Sequence, residues 1–590
     1  MSVVTIDEND IRIGAEPFHM ISGAIHYFRV VPEYWEDRLL KLKAMGCNTV
    51  ETYIPWNLHE PKRGTFCFEG ICDVERFVRL AAELELYVIL RPSPYICAEW
   101  EFGGLPAWLL KEDGMKLRCS YEPYLQAVEA YYRELMPRLT KYQIDLGGPV
   151  ILMQVENEYG YYGNDKKYLK WLADLMRSLG VTVPLFVSDG PFAESFRCGG
   201  VDDLWHGGNF GSHAEERFAG MRTMGKGPLA CTEFWLGWFD HWGCGGHHTT
   251  SREQNVKDLA YMLDHGHVNI YMFEGGTNFG FMNGSNYYDE LTPDVTSYDY
   301  DAVLTEDGRI TGKYEAFREE IGKRYPLPEL PLPPEQPRMA YGMVPSDGAV
   351  SLWDALDLLS EPHESVTARS MERLDQSYGY ILYTARIPET DAVAQIRLMD
   401  AADRAKIYAD GKEILTLYDW ELLAAGKCEP PVPCPEHRLD ILMENMGRVN
   451  FGPAMEKQRK GIDGPVLVND HQIFDFEIRP LPLDHTEKLI FGKDPCPEGP
   501  SFRHFTLEVK ETCDTFLNMA GWGKGCVFVN GFPIGRYWEI GPQVSLYVPA
   551  PVLKKGKNEI IIFETEGRGK DTIVFEDRPN LGAPLPEIQG

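Results

Sequence analysis

The stretch GGPVILMQVENEYG, residues 147–160, contains a run, VILMQV, without the polar alternation of a half-exposed strand, and it ends in a glutamate-rich turn. A strand of that kind is buried on both faces, the condition of a parallel sheet covered by helices. Seven comparable runs lie to either side. They are Met20–Ile25, Thr49–Ile54 and Tyr87–Leu90 before it, and Leu185–Val187, Asp203–Trp205, Leu229–Thr232 and Val268–Met272 after it. The segments between them have helical spacing: Trp35, Leu39 and Leu42 recur at i, i+4, i+7, and Asp73 stands where it caps a helix carrying Val74, Phe77, Val78 and Ala81. Eight strand–helix units predict an α/β architecture, a (β/α)8 TIM barrel over residues 1–325, with an open doubly wound sheet as the structural alternative.

Residues 326–337, PLPELPLPPEQP, hold six prolines and read as a linker, because a chain so poor in amide donors forms neither helix nor central strand. Beyond it come short β-like runs with turn signals, among them YGYILYTARI, AKIYADGKEI, HRLDILMEN, FRHFTLEVK, CVFVNGFPIG and NEIIIFETE. AKIYADGK (405–412) resembles CVFVNGFP (526–533), each with Asp-Gly or Asn-Gly at a hairpin turn, and RLDILMENMGR (438–448) resembles NEIIIFETEGR (558–568). This weak repeat predicts two all-β sandwich domains of jelly-roll type, 338–482 and 483–590.

A formal net charge of -31 repels phosphate backbones and anionic membrane surfaces, so nucleic-acid and membrane partners are not expected and a neutral substrate fits better. MSVVTIDENDIRIG places acidic residues where a signal peptide needs a basic region and an apolar run, and no CxxC pair occurs among thirteen cysteines. The expectation is a soluble protein with reduced thiols in the cytoplasm. Association as a homodimer stays open.

Barrel active sites are built at the C-terminal ends of the strands. Here those ends are rich in acids and aromatics: Tyr53 after the second run, Glu99 and Glu101 after the third, Glu156, Asn157 and Glu158 after the fourth, Glu233 after the seventh. Carboxylates at the ends of strands four and seven face each other across a barrel mouth, with room for a sugar ring between them. Glycosidic cleavage needs such a pair, one carboxyl protonated for the leaving oxygen and one ionised for the anomeric carbon. The competing use is a metal site. His206, His241, His247 and His248 are near enough in sequence, but none falls in HExxH or a comparable spacing, so no metal is expected.

The segments SGAIHYFR, GCNTVETYIPWNLHEP, RPSPYICAEWEFGGLPAWLL, GGPVILMQVENEYG, TEFWLGWFDHWG, YMFEGGTNFGFMNG and TSYDYDA cover most of residues 20–303 and resemble the β-galactosidases of glycoside hydrolase family 35; GRYWEIGPQ at 535–543 extends the likeness into the last β domain. The resemblance implies a retaining exo-β-galactosidase acting on small β-galactosides without a cofactor, and galactose-binding-like β domains. It implies Glu158 as acid/base, Glu233 as nucleophile, and Tyr53, Cys97, Ala98, Glu99, Asn157, Tyr271 and Tyr300 around the galactose ring, with Asn157 reaching the 2-OH. Trp235 departs from the Tyr often found there. With Trp238 and Trp242 it suggests a stacking platform for the leaving group, the alternative being that these rings only pack the barrel rim. Another exo-glycosidase, such as a β-glucosaminidase, and a carbohydrate-binding protein without turnover are the competing functions. Within Glu156-Asn157-Glu158 both glutamates have one parity; Glu158, about 6–7 Å farther along an extended strand, is expected at the mouth and Glu156 nearer the interior.

Overall fold

Eight parallel strands close into a barrel: β1 (Ile21–Ile25), β2 (Thr49–Tyr53), β3 (Tyr87–Arg91), β4 (Val150–Gln154), β5 (Leu185–Asp189), β6 (Trp205–Phe210), β7 (Ala230–Trp235) and β8 (His267–Glu274). Closure is made by β8 on β1, with Val268 opposite Ile21, so the open-sheet alternative does not apply. The computed structural model describes residues 3–92, 94–387, 392–453, 455–492 and 498–587. All five residues of β4 are buried, as a strand between helices and barrel interior requires. The Asp73 carboxylate accepts from the Arg76 amide, 2.8 Å, and caps helix Val74–Glu83, whose buried side is Val74, Phe77, Val78 and Ala81.

Two strands differ from their sequence reading, and both differences bear on the site. The sixth run, expected at Asp203–Trp205, instead forms strand Trp205–Phe210, whose WHGGNF lacks branched apolar residues. The neighbouring strand fills the space: a Cβ on Gly207 would sit 2.3 Å from the Thr232 side chain. The seventh extends to Trp235, so Glu233 belongs to the strand itself and is opposite Asn209 of β6.

Residues 326–337 form neither helix nor strand. They lie along the barrel, where the Gln336 carbonyl accepts from Arg309, 2.9 Å, and Glu335 from the Ile310 amide, 3.3 Å. Two β units follow. One consists of a six-stranded and a four-stranded sheet between residues 363 and 481; the other is built on an eight-stranded sheet. The boundary at 338 needs correction, because strand Gly342–Ser351, assigned to the first β domain, pairs with Ser501–Val509 and Thr572–Glu576 of the last. Its exchange partners are more than a hundred residues away, so no local pattern reveals them. The outer bounds at 1 and 590 lie outside the described residues.

Both β units brace the barrel mouth. Strand Ser285–Tyr287, in the loop after β8, pairs in parallel with Val449–Phe451 of the first. Thr296 exchanges hydrogen bonds with the backbone of Arg536, 2.8 and 2.9 Å, and Gln543 accepts from the Ser297 amide, 2.9 Å. The GRYWEIGPQ segment thus supports the loop that carries Tyr298 and Tyr300. Among the described residues no helix is long and apolar enough to cross a membrane, and all twelve described cysteines are free thiols.

Candidate active site

At the C-terminal mouth of the barrel a cavity of about 190 Å³ is lined by Tyr53, Cys97, Ala98, Glu99, Asn157, Glu158, Glu233, Trp235, Trp238, Tyr271 and Tyr300. Of the residues expected around the sugar and its leaving group, Trp242 does not line it, and of the strand-end acids Glu101 is instead paired with Arg448 and Glu156 with Arg118. Trp242 is buried, its amide donates to the Pro293 carbonyl at 2.9 Å, and it does not belong to the cavity lining. The lining also contains residues that sequence reasoning missed. Phe451 arrives from the first β domain through its pairing with Asn286, Tyr161 stands on the short helix Tyr159–Tyr162, and Tyr288 and Phe239 stand on loops with no strand-end signal.

Three donors converge on Glu233. The Tyr53 hydroxyl lies 2.5 Å and the Arg91 guanidinium 2.6 Å from Oε1, and the Trp235 indole N–H donates to Oε2 at 2.9 Å. One donor is a cation and all three are fixed by strands β2, β3 and β7, so the lone pairs of an ionised carboxylate are held in place before any substrate arrives. Arg91, overlooked in the sequence reading, is the last residue of β3 and is buried; its guanidinium lies over the Tyr53 ring at 4.1 Å and also reaches Asn157 Oδ1 at 2.8 Å. Its charge follows from position. A buried arginine at a barrel strand end, with Glu51 3.7 Å behind it and Glu233 in front, is compensated on both sides.

Glu158 has the opposite company. Among the described residues its one side-chain donor is the Asn209 amide, 3.1 Å from Oε1. Burial raises the Glu158 carboxyl, and the nearby negative charge of Glu233 raises it further, to about 8, so it is protonated at neutral pH. Asn209 is itself oriented: the Ser188 and Thr232 hydroxyls lie 2.6 and 2.9 Å from its Oδ1, which turns the NH2 toward Glu158.

The expected shared direction of Glu156 and Glu158 is not observed. The strand ends at Gln154, and both glutamates have left-handed backbones, φ 58° and 45°, so strand alternation no longer applies. Glu156 turns away into protein, accepting from Arg118 at 3.1 and 2.9 Å, from the Tyr168 hydroxyl at 2.8 Å and from the Asn157 amide at 2.7 Å. Every lone pair is used. Glu158 alone of the two faces the cavity.

On the far wall Cys97, Ala98 and Glu99 are three consecutive left-handed residues, φ 58°, 57° and 49°, a conformation costing about 1–3 kcal/mol per residue. Arg29 holds the turn: its guanidinium donates to the Ala98 carbonyl and to Asn278 at 2.8 Å, and stacks 3.9 Å from the Tyr298 ring. The strained turn brings Glu99 to the cavity, where Tyr298 donates to it at 2.5 Å and burial raises its carboxyl to about 7. Asn157 Oδ1 accepts from Arg91 at 2.8 Å and Gln154 at 3.1 Å, with the Tyr53 oxygen 2.8 Å away, and one N–H of its NH2 donates to the Ile96 carbonyl at 3.3 Å, which leaves the other N–H to offer a ligand.

The histidines considered as metal ligands have protein partners. His206 pairs with Asp189 at 2.8 Å; His247 and His248 flank Asp240 at 2.6 and 2.8 Å. Asp240, Cys244 and His248 bring one ligand atom each within 4.8 Å of one another. Burial opposes protonation of His247, but hydrogen bonds to Asp240 and Asp299 outweigh it and raise the imidazole to about 10. That imidazolium already neutralises Asp240, so this cluster fits a bound cation poorly.

Residues 10–324 match the family described as glycosyl hydrolases family 35. Residues 369–482 match the first all-beta domain of beta-galactosidase, and 500–558 its galactose-binding domain. The chain is 42% identical to human beta-galactosidase-1-like protein 2 over 582 residues, covering 96% of this chain and 90% of that one. It is 39% identical to human beta-galactosidase over 619 residues, 97% and 89% respectively, and 39% identical to the mouse beta-galactosidase over 589 residues, 93% and 89%.

Proposed function

Because the chain belongs to glycosyl hydrolases family 35, we propose that it releases terminal β-galactose from small oligosaccharides by a retaining, two-step displacement. The observation that carries this reading is the asymmetry of the two carboxyls in one small cavity: Glu158 held protonated, with a carboxyl near 8, and Glu233 held by three donors. Glu158 gives its proton to the glycosidic oxygen as that oxygen leaves C1. Glu233 supplies the electron pair that forms the new bond to C1, giving a galactosyl ester of inverted configuration.

The second step follows from the same electrostatics. Esterification removes the negative charge of Glu233, which was one cause of the high Glu158 value, so Glu158 becomes a stronger acid just when it must act as an anionic base. It takes a proton from water, whose oxygen attacks C1 from the vacated side and releases β-galactose. Direct attack of this kind requires carboxyl groups about 5–5.5 Å apart, without an intervening water. Glu99 accepts from sugar hydroxyls, Asn157 donates to the 2-OH, and Trp235 and Trp238 form an apolar wall for the leaving group.

Free thiols are the stable form in a reducing compartment, which supports a cytoplasmic location, and light scattering of the purified protein decides between monomer and homodimer. A panel of nitrophenyl glycosides, followed by NMR of the first product, tests the function itself. Turnover confined to the β-galactoside, with β-galactose appearing first, is expected; preferred cleavage of an N-acetylglucosaminide, or α-galactose as first product, overturns it.

A further inference from the structure

Beyond the galactose cavity, and sharing Tyr161, Trp235 and Trp238 with it, lies a cleft of about 830 Å³. We infer that this cleft seats the distal sugar residues of the leaving oligosaccharide, those beyond the unit bonded to galactose, on Phe192 and Arg217. The inference rests on the proposed β-galactosidase reading and extends it. Four observations carry it.

The first is continuity with the departing atom. Asn209, whose amide donates to Glu158, also lines the cleft, so the cleft reaches the hydrogen-bond partner of the acid that protonates the leaving oxygen. The second is surface chemistry. Tyr161 is 45% and Phe192 47% exposed, aromatic faces left in water beside a catalytic cavity, and such faces stack on the C–H surfaces of sugars. The third is Arg217. Its guanidinium lies 5.1 Å from the centre of the Phe192 ring, and among the described residues no carboxylate pairs with it, so its donors remain available to hydroxyls.

The fourth is a wall that the barrel does not make. The His247 amide donates to the Ala583 carbonyl at 2.8 Å and the Leu585 amide to the His247 carbonyl at 2.7 Å, while Thr249 donates to Leu585 at 3.3 Å. The chain leaving the last β domain is thereby pinned to the loop after β7, and Glu587 forms part of the cleft. A second channel of about 700 Å³ leaves Glu158 on the other side of Tyr161; there Tyr159 donates to the Arg118 carbonyl at 2.9 Å and Tyr162 to that of Leu117 at 3.2 Å, while Tyr288 stays exposed, so this channel is the competing route that the test includes.

The test uses the full chain and three substrates: nitrophenyl β-galactoside, the disaccharide that the wild type cleaves best, and that disaccharide extended to a tetrasaccharide at its reducing end. Phe192→Ala and Arg217→Ala should each raise KM for the tetrasaccharide by about 3–10-fold, the value of one stacked or charged contact, with kinetics on the two shorter substrates unchanged. Equal losses on all three substrates, or no change with the tetrasaccharide, overturn the inference. A rise produced by Lys116→Ala and not by Phe192→Ala would assign the leaving group to the other channel and overturn it too. If the wild type cleaves none of the three, the β-galactosidase reading itself falls and this inference with it.

Discussion

The ends of β4 and β7 each deliver a glutamate to one cavity, and the two environments are opposites. Glu233 lies inside its strand, opposite Asn209 and just past a shift in register after Cys231, flanked by Tyr53, Arg91 and Trp235 from three strands. Glu158 stands past the end of its strand, on a left-handed residue, with one neutral donor. The difference teaches that the division of labour between nucleophile and acid is set by the number and charge of the donors around each carboxyl, since the residues themselves are identical.

Removing the charge at the donor-rich end should cost most. Glu233→Gln keeps the volume and the Tyr53 and Arg91 contacts to Oε1, loses only the acceptor for the Trp235 indole, and cannot form the ester, so kcat should fall by roughly 10⁴-fold or more while the protein still folds. A modest loss would mean that another group attacks.

At the donor-poor end, Glu158→Ala should lose about 10²–10⁴-fold on substrates with poor leaving groups and much less on dinitrophenyl galactoside, and azide should restore turnover as β-galactosyl azide. Glu156→Ala is the control. It strands the buried Arg118 and should lower stability without azide rescue. Rescue at Glu156 instead of Glu158 would break the comparison.

A smaller change tests the donor count directly. Trp235→Phe keeps a ring but deletes the N–H that reaches Glu233, and kcat/KM for nitrophenyl galactoside should drop about tenfold or more, the worth of a hydrogen bond to a charged group.

The smallest effect is a displacement along the pH axis. The wild-type kcat/KM should fall as pH rises through about 8, where Glu158 loses its proton. The Asn209 hydrogen bond lowers the Glu158 value by favouring the carboxylate, so Asn209→Leu removes that effect and should move this alkaline limb upward. A downward shift in the pH–rate profile would show that Asn209 does not act through Glu158.

The parts of this arrangement legible in sequence are those that a strand end announces. Tyr53, Asn157, Glu158 and Glu233 follow or finish apolar runs, and long motifs carry Cys97–Glu99, Tyr271 and Tyr300. Arg91 finishes such a run as well, yet a lone arginine after VIL is indistinguishable from a solvated end until its two carboxylate neighbours are known. Phe451 was illegible for a different reason: it reaches the cavity only because Val449–Phe451 pairs with a barrel loop more than a hundred residues earlier. The opposite error was Trp242, an aromatic close in sequence to the two half-buried tryptophans of the cavity but itself buried away from it. The swapped strand Gly342–Ser351 follows the same rule, since strand exchange between β units leaves no local periodicity.

The most direct test of the central claim is to trap the covalent intermediate with a 2-fluoro-galactoside bearing a good leaving group and to map the label by peptide mass spectrometry. The donor geometry places it on the peptide containing Glu233, at that residue. A label on Glu99, or on Glu274, which is buried against Arg38 at 2.9 Å, would contradict the assignment of the nucleophile.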